Sequence, residues 1–313
     1  MSAKRATREA FGETLIELAA EGVDVVAVDA DLSGSTTTAK FGAAHPDRFF
    51  NVGIAEQNMI GTAAGLAVAG KVPFTGSFAV FATGRAYDQV RNTVCYSNLD
   101  VKLAPTHSGI TVGPDGGSHQ MLEDIALMRV LPGMRVLVPA DYVAAKAALR
   151  VAATTPGPFY VRLGRAGVPV IYDEDYVFEL GRARVLREGV HVTLVACGVM
   201  VEQALAAADM LELEGIHAEV LDVATIKPLP AEQIAASASK TGAVVTCEEH
   251  SVIGGLGSAV AEALGERAPV PMTRVGVRDV FGTSGEPAEL MEHFGLSATH
   301  IAAAAREVLE RRR

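Results

Sequence analysis

The chain has 313 residues, 49% of them hydrophobic and 5% aromatic, with a formal net charge of −10. That length and apolar content suit one large or two ordinary domains with full cores. The acidic balance, without a basic stripe, argues against nucleic acid as a partner, and no run of about 20 apolar residues is present to span a membrane.

Residues 6–19 place apolar side chains at helical spacing. Val23–Val28 is a short β-branched run between Gly22 and Asp29, as expected of a buried parallel strand. A strand-like approach ends at Asn51-Val52-Gly53, and a small-residue helix is predicted over 57–69. Strands follow at 72–75, 100–105, 135–138 and 159–163, with helices at 84–96, 122–130 and 141–153. Strands alternating with helices predict a parallel sheet covered on both faces. Residues 164–190 are mixed in charge and rich in glycine, and read as a connection between domains. A second alternating series then begins. Strands are predicted at 191–197, 216–223, 243–248 and 270–275, and helices at 199–214, 231–240, 257–264, 286–294 and 297–311. The fold class is therefore α/β with two doubly wound domains, over 1–165 and 189–313, joined by a linker at 166–188.

Cys95, Cys197 and Cys247 are far apart, odd in number and without C-x-x-C spacing. This fits a reducing compartment. The N-terminal residues run straight into the amphipathic pattern with no apolar signal core, so a cytoplasmic protein is expected.

Five segments hold residues suited to chemistry. Glu56 lies in Gly53-Ile54-Ala55-Glu56-Gln57-Asn58-Met59, at a strand-to-helix turn. Backbone N–H groups and the helix dipole favour an ionised carboxylate there, placed to hold a cationic or proton-sharing ring nitrogen of a ligand. Asp29–Thr36, with Asp31 and Ser35, follows the first strand and could bind a polyol or cap the next helix. Phe78 and Phe81 follow the 72–75 strand and could form a platform for a flat heterocycle, or simply pack in the core. His107, Asp115 and His119 share a glycine-rich stretch after another strand. Histidine there can donate, accept or relay protons, and no third nitrogen or sulfur ligand stands at a zinc spacing. Arg162 and Arg165 close the last strand of the first series and, with Arg8, could clamp a phosphate or serve as surface ion-pair partners. The Cys247–Ser258 turn departs from G-x-G-x-x-G at Val260, so a structural turn or subunit contact is expected there rather than a nucleotide.

The order and spacing of Ala30-Asp31-Leu32, Gly53–Met59, Phe78-x-x-Phe81, Arg85–Gln89, Thr106-His107, Asp115-Gly116-x-x-His119-Gln120 and Glu123-Asp124 resemble the pyrimidine-binding domain of transketolase. The resemblance runs on through the C-terminal domain of that family and covers nearly the whole chain. The Gly-Asp-Gly motif with which the family's N-terminal domain binds a metal and a diphosphate is absent. The resemblance therefore implies the second subunit of a split, cytoplasmic transketolase of the pentose phosphate pathway, in an α2β2 assembly. A partner chain would supply Mg2+ or Ca2+ and the diphosphate half of a shared thiamine diphosphate.

By the same resemblance Glu56 would hydrogen-bond N1′ of the aminopyrimidine, with Phe78 and Phe81 packed on that ring and Asp31 as a further cofactor-binding residue. Gly84 stands where the family commonly offers a third aromatic. His107 and His119 would act at substrate oxygens, Asp115 at the sugar hydroxyl next to the carbonyl, and Arg8, Ser35 and Arg165 at the phosphate end. No metal ligand is assigned to this chain. Deoxyxylulose-phosphate synthase and the beta subunit of 2-oxoacid dehydrogenases share the two-domain plan, but the His107/Asp115 pairing favours a sugar substrate. A scaffold subunit that has lost catalysis is the non-enzyme alternative, against which the intact Glu56, His107, Asp115 and His119 argue.

Overall fold

The computed structural model describes residues 4–312. The chain opens with β1 (Lys4–Ala6), α1 (Glu9–Ala20), β2 (Val25–Asp29), α2 (Ser33–Thr36), α3 (Thr38–Ala44) and β3 (Phe49–Asn51). It continues through α4 (Glu56–Val68), β4 (Val72–Gly76), β5 (Lys102–Leu103), α5 (Asp124–Arg129), β6 (Arg135–Leu137), α6 (Tyr142–Thr154) and β7 (Phe159–Val161). Two connecting strands, β8 (Gly167–Pro169) and β9 (Arg184–Arg187), follow. The second series is β10 (Val192–Ala196), α7 (Met200–Glu212), β11 (Ala218–Asp222), β12 (Thr225–Lys227), α8 (Ala231–Thr241) and β13 (Val244–Ser251). It ends with α9 (Leu256–Arg267), β14 (Met272–Val277), α10 (Pro287–His293) and α11 (Ala298–Glu310).

The first sheet has the order β12-β6-β7-β5-β4-β2-β3 and the second β14-β13-β10-β11-β9. Within these two sheets all pairings are parallel except those of the edge strands β12 and β9. The fully buried runs of β2 and β10 match strands covered on both faces. One apolar cluster joins Val28, Ile60 and Leu103 of the first half to Val195, Leu221 and Leu256 of the second. Among the described residues no helix is long and apolar enough to cross a membrane.

In the first sheet the chain passes from β2 to β3 on one side and then to β4 on the other. The strand order thus reverses between β2 and β4, and ligands of such sheets bind outside the carboxyl ends at that point. The second sheet reverses in the same way between β10 and β13.

Three stretches differ from their predicted form. The helix expected over 84–96 is two π-helical segments, Phe81–Arg85 and Gln89–Cys95. Residues 29–36, read as a run that could bind a polyol or cap the next helix, include α2, and α3 follows at Thr38–Ala44. The buried Asp29 carboxylate organises them, accepting hydrogen bonds from Leu32 N–H and the Thr36 and Thr38 hydroxyls. Residues 164–190 contribute β8, which pairs with β1, and β9, which edges the second sheet. β12 crosses back to pair with β6 of the first sheet.

Candidate active site

The carboxyl ends of β3, β4, β5 and β7 lead into the loops that carry Glu56, Phe78, His107 and Arg165. Glu56 is the first residue of α4 and is 1% exposed. Arg85 Nη1 donates to its Oε2 at 2.7 Å. Its other oxygen has no hydrogen bond from the described residues. Arg85 is half-exposed, and its guanidinium carbon lies 4.9 Å from the centroid of the Phe81 ring. The π-helical turn brings these two side chains together on one face.

Phe81 and Phe78 lie 6.0 Å apart with their planes 11° from parallel. Phe78 also stacks on His107, centroid to centroid at 3.8 Å. His119 presents its ring edge-on to both phenylalanines, at 6.2 and 5.6 Å. The four rings form one wall beside the Glu56–Arg85 pair.

His107 is buried and takes a left-handed backbone with φ 60. Such a conformation costs about 1 kcal/mol or more in a non-glycine residue and persists only where its surroundings hold it. The Thr106 hydroxyl lies 2.8 Å from its Nδ1, and Nε2 has no hydrogen bond from the described residues. Burial, followed by the positive charges of Arg8 and Arg165 and by His119, lowers its pKa to about 3. His107 is therefore a neutral imidazole at physiological pH.

Arg8 donates from Nη1 to the carbonyl of Ser35 at 2.9 Å. Its buried Nε has no partner among the described residues. Burial and then the like charge of Arg165 lower its pKa. Arg165 donates to the Val112 carbonyl and stands 3.8 Å from Asp115 Oδ1. Two guanidiniums that repel each other, one with a free donor, suit an anionic group.

The contacts thus link Glu56, Phe78, Phe81, His107 and His119, with Arg8, Arg165 and Asp115 alongside. Ser35 contributes its carbonyl, through Arg8. Asp31 departs from expectation: it is exposed, has φ 65 and accepts from Asn51 Nδ2 at 3.2 Å. Its contacts are with the β3 turn rather than with the rings, and Asp29 is the buried carboxylate of that loop.

Arg162 is buried away from the rings. It holds Asp124 in two hydrogen bonds, Nε to Oδ2 at 2.7 Å and Nη2 to Oδ1 at 3.1 Å. Tyr160 donates to the same carboxylate at 2.5 Å. Burial acts to raise Asp124, but the charge and hydrogen bonds of Arg162 outweigh it and hold the carboxyl below its usual range. The Cys247–Ser258 turn meets this group. Glu248 accepts from the Leu256 and Gly257 N–H groups and caps α9. Glu249 accepts from Thr111 N–H of the first half at 2.7 Å. Arg85, Asp124 and Glu249 carried no assigned role in the sequence. Their partners stand 29, 38 and 138 residues away, beyond any local spacing signal.

Residues 3–170 match the family described as transketolase, pyrimidine binding domain, and residues 181–301 the family described as transketolase, C-terminal domain. The chain is 49% identical to a 6-deoxy-6-sulfo-D-fructose transketolase subunit of Clostridium sp. (strain MSTE9), over 97% of this chain and 95% of that protein. It is 39% identical to an apulose-4-phosphate transketolase subunit of Phocaeicola vulgatus, over 98% of both chains. A solved structure described as a split gene transketolase, inactive beta4 tetramer, is 53% identical, with a TM-score of 0.92 over 99% of this chain and 100% of that one.

Proposed function

The chain belongs to the transketolase family, and on that footing we propose that it is one subunit of a split transketolase. It would transfer a two-carbon ketol unit from a ketose, phosphorylated or similarly anionic, to an aldose. The observation that carries this reading is the buried Glu56 carboxylate at the head of α4, beside the Phe78/Phe81 wall and the neutral His107.

These residues fit thiamine diphosphate. Glu56 has an oxygen free of hydrogen bonds from the described residues for a ring nitrogen, and Phe78 and Phe81 offer parallel faces for a pyrimidine. The cofactor, when bound, supplies the electron sink for cleaving the bond next to the ketose carbonyl. This chain's own groups bind and orient. Glu56 holds the pyrimidine edge and sets its proton state. His107 and His119 donate to, or move protons at, substrate oxygens. Asp115 accepts from the hydroxyl beside the carbonyl. Arg8 and Arg165 hold the anionic end, and their donors suit phosphate or sulfonate alike.

Among the described residues no group of three or more His, Cys, Asp or Glu side chains suits a metal ion. We assign Mg2+ or Ca2+ and the diphosphate to a partner chain, in an α2β2 complex. The tetramer of a single chain type described as inactive is consistent with a site that needs a second subunit. We also take residues 1–165 and 189–313 as the two domains and 166–188 as their linker, with β12 as a strand that crosses between them.

The test is direct. The protein is mixed with a partner chain carrying Gly-Asp-Gly, thiamine diphosphate and Mg2+, then given xylulose 5-phosphate and ribose 5-phosphate. Release of glyceraldehyde 3-phosphate supports the reading. Parallel assays with 6-deoxy-6-sulfofructose and apulose 4-phosphate, named for the two relatives, identify the donor. Decarboxylation of pyruvate in place of ketol transfer would reject it.

A further inference from the structure

We propose that Glu249, a carboxylate of the second sheet, is a positioning residue that holds the loop bearing His107, Asp115 and His119 in its working shape. The proposal rests on reading those three residues as substrate-facing.

Glu249 is buried at the carboxyl end of β13, where the second sheet reverses its strand order. Its neighbour Glu248 caps α9 within its own half, whereas Glu249 reaches across and takes the Thr111 N–H. The approach is close. A Cβ added at Gly109 would lie 2.2 Å from the Glu249 carboxyl carbon, and the left-handed φ of +78 at Gly109 favours glycine.

The far end of the same loop is tied to the same place. Arg162 Nη2 donates to the Met121 carbonyl at 3.2 Å and to the Glu249 carbonyl at 3.0 Å. Gln120 Nε2 donates to Ile110 O at 3.1 Å and to Thr283 O at 2.9 Å, which closes the loop on itself and on the second half. Asp115 and His119 lie between these two anchors, and His107 lies two residues before Gly109. A buried carboxylate is costly unless its oxygens are satisfied. Thr111 N–H of the loop is hydrogen-bonded to Oε1, and the Arg162 guanidinium stands 3.9 Å from Oε2 as a nearby positive charge.

The experiment compares Glu249→Ala and Glu249→Gln, the second of which keeps an oxygen acceptor. Hydrogen exchange is followed at Thr111 and across β10, β11 and β13. In Glu249→Ala the Thr111 amide should exchange about tenfold faster while the strands stay protected, and in Glu249→Gln it should remain protected. In the complex with the partner chain, thiamine diphosphate and Mg2+, Glu249→Ala should lower kcat/KM about tenfold and Glu249→Gln should restore it.

Unchanged Thr111 exchange in Glu249→Ala, or fast exchange with unchanged kcat/KM, overturns the proposal. Exchange that rises across the whole chain in both variants overturns it as well, since Glu249 would then serve the fold at large. If the wild-type complex transfers no ketol unit, the reaction assignment fails, and the Thr111 measurement still decides whether Glu249 holds the loop.

Discussion

Arg85 Nη1 donates to Glu56 Oε2 at 2.7 Å while its guanidinium lies over the Phe81 ring. The proposed cofactor carboxylate and the proposed pyrimidine platform are thus held by one side chain. Removing Arg85 leaves a buried carboxylate without its counter-cation. Because Arg85 is half-exposed and solvent weakens the pair, Arg85→Ala should cost only about 1 kcal/mol of stability. Urea denaturation of the isolated chain measures this, and a loss several times larger would mean that the pair is shielded from water.

Glu56→Gln keeps the shape of the side chain and removes its charge. Turnover in the reconstituted complex should fall by about a hundredfold or more, with the circular dichroism spectrum and partner binding unchanged. Near-normal turnover would remove Glu56 from the chemistry.

Arg165→Ala deletes a charged donor beside Arg8 and Asp115. KM for phosphorylated sugars should rise about tenfold and KM for unphosphorylated ones much less. Steady-state kinetics on both classes checks it, and an equal effect on both would count against an anion-binding role.

The depressed pKa of His107 has a consequence for acid stability. The unfolded chain binds this proton near pH 6.5, the folded one only near pH 3. Between those values the unfolded state carries the extra proton, so stability contributed by neutral His107 is fully present above about pH 6.5 and falls as the pH drops, by up to about 1.4 kcal/mol per unit. His107→Gln should flatten the stability–pH curve across that window relative to wild type. Denaturation midpoints measured from about pH 7 to pH 4 test this, and a parallel pair of curves would show that His107 is not held neutral.

Much of the architecture was readable from local pattern. β2 and β10 are continuous apolar runs because helices cover both faces, and α6 and α11 show their buried sides as helical periods. The loops after β3, β4, β5 and β7 were readable as a candidate site because acids, rings and histidines gather there. Other features left no periodic or spacing signal. α2 and the turn into α3 are hydroxyl-rich and aperiodic, and the buried Asp29 organises them. The 81–95 segment has helical composition, but it widens into π turns that set Arg85 against Glu56. Asp31 follows the first strand as a ligand group would, yet its backbone turns it towards Asn51 and water. Glu249 could be read only as part of a turn, since its partner lies in the other half of the chain.

β12 is three residues long, yet it belongs to the sheet built by the opposite end of the chain. Lys227 adds a stitch, donating to the carbonyls of Arg129 and Leu131. A gene cut at the glycine-rich connection would not release two self-sufficient pieces. The N-terminal fragment would carry β6 as a raw edge, open to pairing with any extended segment. The C-terminal fragment would carry a spare strand with nothing to join. The glycine-rich connection is thus a poor place to divide this chain.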